Sequence, residues 1–118
     1  MTIQLHLADF AAWHDADHGS PGLPTVLDVR EPWELQIASV KADGFVLLAI
    51  PMREIPAQVA SLLETHGADH PIACLCHHGM RSLQVANYLT QSGFTEVVNL
   101  QGGIDAWSRQ IDPSVPLY

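Results

Sequence analysis

Residues 25–29, 45–50, 71–75 and 96–100 are short apolar runs, and the stretches between them carry apolar residues at helical spacing. Runs of this length without polar alternation suit strands buried on both faces of a sheet. Ile3-Gln4-Leu5 is a candidate fifth strand, and Pro51 stops the second run. The helix candidates are 7–13, with Leu7, Phe10 and Ala11 on one face; 55–64, with Ile55, Val59, Leu62 and Leu63; 81–91, with Leu83, Ala86, Tyr88 and Leu89; and 103–109, with Ile104 and Trp107. Gly93 fits the position just past a helix end. Strands alternating with helices predict an α/β fold: a three-layer sandwich with about five mostly parallel strands and helices on both faces. Residues 15–24, rich in Gly, Pro, Asp and His, read as a loop, and 118 residues fit one domain, 1–118. In such sheets ligands sit beyond the carboxyl ends of the strands.

Charge narrows the partners. Thirteen acidic residues face five basic ones, a formal charge of −8, and no Lys/Arg cluster exists. Nucleic acid and anionic membranes are therefore not expected as partners. No run approaches the ~20 apolar residues of a spanning helix, and Met1-Thr2-Ile3-Gln4-Leu5-His6 lacks a basic leader pattern. The expectation is a soluble, cytoplasmic protein. Two cysteines, Cys74 and Cys76, are present. They are expected to point to opposite faces of a strand, with a disulfide between them badly strained. Cys74, inside the apolar run, reads as a buried small hydrophobe.

Cys76-His77-His78-Gly79-Met80-Arg81-Ser82 directly follows the third run and directly precedes a helix. A strand–loop–helix junction aims backbone N–H groups inward at the positive end of a helix dipole, which stabilises a thiolate. Gly79 permits the tight curl. Arg81 places a cation at the loop's end, where it opposes the dipole and so needs another reason to be there. Ser82 can cap the helix or donate to the sulfur. His77 and His78 read as loop residues shaping the pocket mouth, with acid/base work the alternative. Cys74, Cys76, His77 and His78 cannot all converge on one tetrahedral ion, so no metal is expected. His6, His14, His18, His66 and His70 read as surface residues, and Trp13, Trp33 and Trp107 as core or hinge packing.

The pattern Cys76-x-x-Gly79-x-Arg81-Ser82 resembles the active-site loop of rhodanese domains. Residues 26–34, containing Asp28-Val29-Arg30-Glu31, resemble that family's strand-two signature. Ile50-Pro51 resembles its step after strand three, and Leu100-Gln101-Gly102-Gly103 with Trp107 its C-terminal signature. A departure lies at residues 37–44, where the family's Gly-His pair is absent.

The resemblance implies a sulfurtransferase without cofactor. Cys76 would attack the outer sulfur of a donor such as thiosulfate, carry it as a persulfide, and pass it to cyanide or a thiol. The loop amides of residues 77–81 would cradle that sulfur, with Asp28 and Arg30 as structural support. Small-molecule donors and acceptors are the expected partners. A sulfur-relay carrier or binding module acting with a partner protein is the alternative. A cysteine phosphatase is disfavoured, because only four residues separate Cys76 from Arg81, a tight fit for a phosphate.

Overall fold

The computed structural model describes residues 3–19 and 22–118. Five strands form one sheet: β1 (Ile3–His6), β2 (Thr25–Asp28), β3 (Val46–Ala49), β4 (Ile72–Leu75) and β5 (Val97–Gln101). All neighbours are parallel, in the order β1-β5-β4-β2-β3. The helices are α1 (Phe10–Asp15), α2 (Pro32–Ile37), α3 (Ile55–His66), α4 (Met80–Gln91) and α5 (Gly103–Gln110). One face buries Val26, Ala73, Leu75, Val98 and Leu100 with Leu7, Phe10, Ile104 and Trp107. The other buries Leu27, Ile72, Cys74 and Val97 with Ile55 and Leu62 of α3 and Val85, Ala86 and Leu89 of α4. Alternate residues of each run thus feed opposite cores, the period-two geometry of a strand. This is the expected three-layer α/β sheet.

Several expectations need correction. Cys74 and Cys76 do not point to opposite faces: side chains two apart share a face, and both thiols lie in the core beneath α3 and α4, unbonded to each other. The 45–50 run is not buried on both faces, because β3 is an edge strand and Val46 is exposed. On α1, Ala11 is exposed while Phe10 is buried. On α4, Val85 takes the core position expected for Tyr88, which is exposed. Trp33 is 60% exposed and packs no core. His14, His18 and His70 are half-buried, bonding the Gly44 carbonyl, the Trp13 carbonyl and the Thr25 hydroxyl. Residues 20 and 21 of the expected loop, and Met1 and Thr2, lie outside the described residues. Among the described residues no helix is long and apolar enough to cross a membrane.

At the carboxyl end of β2 a guanidinium is fully enclosed. Arg30 is 0% exposed, with Nε donating to Asp28 Oδ1 at 2.9 Å and Nη2 donating to Asp28 Oδ2 at 2.8 Å. Nη2 also donates to the Ala38 carbonyl at 2.8 Å, and Nη1 to the Tyr118 hydroxyl at 2.9 Å. Arg30→Ala strands the buried Asp28 carboxylate without its cation. The expected loss of unfolding free energy is about 3–5 kcal/mol. Urea unfolding measures it; a loss below about 1 kcal/mol would contradict this reading.

Candidate active site

β4 ends at Leu75, and the chain turns at once into a loop that closes on α4. Cys76 Sγ accepts the Gly79 N–H at 3.0 Å and the Ser82 hydroxyl at 3.2 Å, and the residue is 1% exposed. Ser82, itself fully buried, thus faces the sulfur rather than capping the helix. Burial pushes the Cys74 thiol well above the ordinary range, with Cys76 adding to the effect, so Cys74 stays protonated at neutral pH.

The loop is held from outside by the β5–α5 junction. The N–H groups of Ile104 and Asp105 donate to the carbonyls of Cys76 and His77 at 2.8 and 3.2 Å. Such close approach of two backbones needs residues without a Cβ. Gly79 has φ +102°, and a Cβ there would meet the Gly102 nitrogen at 3.0 Å. Gly103 has φ +63°, and a Cβ there would overlap the carbonyl oxygens of Cys76 and His77. From below, Asn99 Nδ2 of β5 donates to the Gly79 carbonyl at 3.1 Å.

Arg81, expected as a cation at the loop's end, is paired with a carboxylate. Its Nη1 and Nη2 donate to Glu34 Oε2 and Oε1 at 2.7 and 2.8 Å, a bidentate pair. The Glu34 carboxylate is buried, and it also accepts the Glu31 N–H at 2.9 Å and the Tyr118 hydroxyl at 2.9 Å. Hydrogen bonding from Arg81 outweighs burial and holds the Glu34 carboxyl at about 2, well below its ordinary 4.5. Arg53, on the turn after β3, pairs with Glu31. Both guanidiniums are thus already matched by carboxylates.

The loop's side chains divide. His77 stacks between Tyr118 and His78, with centroids 3.9 Å apart on each side. Its Nε2–H donates to the Tyr118 main-chain oxygen at 2.7 Å. His78 is exposed, and Met80, on the first turn of α4, is 70% exposed. Asp28 and Arg30 sit behind Glu34 and join the site through Tyr118. Glu34, Asn99, Gly103 and Tyr118 were not singled out as site residues from sequence. Glu34 carried a readable signal: Glu31-Pro32-x-Glu34 has the spacing of a helix start with Pro at its first turn. Asn99 and Tyr118 had none. Among the described residues no cluster of three or more His, Cys, Asp or Glu is arranged to hold a metal.

Comparison with known proteins adds a frame to this geometry. A family model, the rhodanese-like domain, matches residues 10–110. The chain is similar to the Arabidopsis thaliana rhodanese-like/PpiC domain-containing protein 12, chloroplastic, with 40% identity over 79% of this chain and 30% of that protein. It therefore spans under a third of that relative's length. It is also similar to a sulfurtransferase of Allochromatium vinosum, 35% identical over 76% of this chain and 77% of that one. Among solved structures, a rhodanese-related protein from Thermoplasma volcanium superposes with a TM-score of 0.72 at 30% identity, covering 98% of this chain and 99% of that chain.

Two outcomes test the scaffold. Gly103→Ala requires a left-handed alanine and displaces the cysteine loop, so thermal unfolding should show a loss of about 2 kcal/mol or more. A pH series tests Glu34. Its folded pKa is depressed, so its stabilisation is present above about pH 4.5 and is lost as pH falls toward 2. Because Arg81 is partly exposed, the expected contribution is about 1–3 kcal/mol. Glu34→Gln should flatten stability across that window, and an unchanged slope would remove the pair from the balance.

Proposed function

The chain belongs to the rhodanese-like domain family, and from that membership we propose that it is a sulfurtransferase whose nucleophile is Cys76. The observation that carries this reading is the sulfur itself: Cys76 Sγ lies at the carboxyl end of β4, facing the Gly79 N–H and the Ser82 hydroxyl. These donors favour an anionic sulfur at that position, the thiolate that attacks the donor and leaves again in the second step. In the loading step the Cys76 thiolate attacks the outer sulfur of the donor. A new S–S bond forms as the donor's own bond to that sulfur breaks, releasing sulfite from thiosulfate or a thiolate from an alkyl persulfide. In the second step a nucleophile attacks the outer sulfur, and the Cys76 thiolate leaves. With cyanide the product is thiocyanate. In this reading His77, His78, Gly79, Met80 and Arg81 form the wall around the transferred sulfur, with Asp28 and Arg30 supporting it from behind.

The matched cations favour a second shade of the same reading. Arg81 is neutralised by Glu34 and Arg53 by Glu31, so a dianion such as thiosulfate finds little unpaired positive charge there. A persulfide carried on a thiol, small or protein-borne, suits such a mouth better. A role as a sulfur-relay module is consistent with the longer Arabidopsis relative, in which a rhodanese-like segment is joined to another domain.

Intact-mass spectrometry before and after thiosulfate or an alkyl persulfide, with and without cyanide, tests the proposal. The expected result is the gain of one sulfur atom on Cys76, discharged by cyanide, and faster loading from the alkyl persulfide. Cys76→Ser should abolish the gain while the fold persists. Loading on Cys74 in place of Cys76 would overturn the assignment.

A further inference from the structure

Tyr118 makes four contacts at the site, reaching Glu34, Arg30 and, twice, His77. Its hydroxyl donates to Glu34 Oε1 at 2.9 Å, the carboxylate that grips Arg81. The same oxygen accepts from Arg30 Nη1 at 2.9 Å. Its ring lies parallel to His77, 8° from coplanar and 3.9 Å away. Its main-chain oxygen accepts the His77 Nε2–H at 2.7 Å. The preceding chain is pinned as well: Val115 is buried in the core, and its carbonyl accepts the Ser108 hydroxyl of α5 at 2.6 Å. The tyrosine therefore arrives at a fixed place and bridges β2, α2 and the residue directly after the nucleophile.

We propose that Tyr118 is a positioning residue for sulfur transfer, clasping the cysteine loop through His77 and the Arg81 guanidinium through Glu34. The inference rests on the sulfur-transfer reading for its kinetic consequence, though not for its geometry. The ring stack and the bond to the main-chain oxygen hold the His77 side chain in place, with Nε2–H as the donor. His77 in turn stacks on His78 at 3.9 Å, so three aromatic rings form one rigid wall leading to Gly79, whose N–H meets the sulfur. The hydroxyl donates to Glu34 Oε1, the same oxygen that accepts Arg81 Nη2, and so helps fix the carboxylate that both Arg81 bonds use. A small error in the placement of such donors costs rate more than binding.

The test compares wild type, Tyr118→Phe and Tyr118→Ala. Loading of Cys76 from an alkyl persulfide is followed by rapid-quench mass spectrometry over a range of donor concentrations. The expected result for Tyr118→Ala is a roughly ten-fold fall in the limiting loading rate, with the half-saturating donor concentration within about two-fold. Both variants keep the main-chain oxygen, but Tyr118→Phe also keeps the ring stack, and should recover the rate to within about three-fold of wild type. An unchanged limiting rate in Tyr118→Ala overturns the proposal, as does a fall in melting temperature with the folded fraction loading at the wild-type rate. Two readouts do not depend on sulfur transfer. The His77 ring protons should lose an upfield ring-current shift in Tyr118→Ala but keep it in Tyr118→Phe, and the alkylation rate of Cys76 by iodoacetamide should follow the same order. If wild type never loads sulfur, the sulfurtransferase reading fails, and these two readouts alone sustain or overturn the positioning role.

Discussion

The rest of the site hangs on a guanidinium with no exposure to water. Arg30 could not be buried alone, because desolvating an unpaired charge costs far more than the fold could offset. It is buried because Asp28 meets it two residues back on the same strand end, while the Glu34 and Ala38 carbonyls of α2 and the Tyr118 hydroxyl occupy its other donors. Those acceptors belong to separate parts of the chain. Satisfying one cation therefore fixes where α2 lies on the sheet and where residue 118 ends up. The α2 carbonyls are the negative end of that helix, which adds a favourable field.

From this anchor the order passes outward to the chemistry. With α2 fixed, the Glu34 carboxylate is held under the first turn of α4, where it faces Arg81. A cation on the first turn of a helix is unfavourable by itself, and Glu34 removes that conflict. The consequence is a mouth in which positive charge has already been matched.

What could be read from sequence was whatever lies close along the chain. The period-two feeding of two cores is written in residues 72–76 and 97–100, so the fold class was legible, and the cysteine loop, being contiguous, could be located along the chain. Edge position was not: residues 46–49 are as apolar as the central runs, and only the strand order makes β3 an edge. The partners of the loop were also hidden, because they come from far away. Arg81 meets Glu34 across 47 positions, and Glu34 meets Tyr118 across 84. The signature Gly102-Gly103 was noticed as a pattern, yet its physical reason, contact with the Cys76 and His77 carbonyls, required the β5–α5 turn to be placed against the loop. The shared face of Cys74 and Cys76 was legible from strand geometry and was misjudged at that level.

With Arg81 and Arg53 paired, negative charge developing on the proposed Cys76 nucleophile would be met by something other than side-chain charge, and the backbone supplies it. The carbonyls of Cys76 and His77 point outward to the N–H groups of Ile104 and Asp105. In a planar trans peptide the N–H points opposite to the C=O, so the His77 and His78 N–H groups face away from α5. The Gly79 N–H reaches the sulfur directly. Two helices, α4 and α5, both begin against this loop, and each brings the positive end of its dipole toward it. Fixed dipoles of this kind stabilise one negative atom at one place without attracting dianions from solution as strongly as an unpaired arginine would. Gly79 and Gly103 are what permit the two helix starts to come that close, which makes the electrostatics of the site a consequence of two missing Cβ atoms.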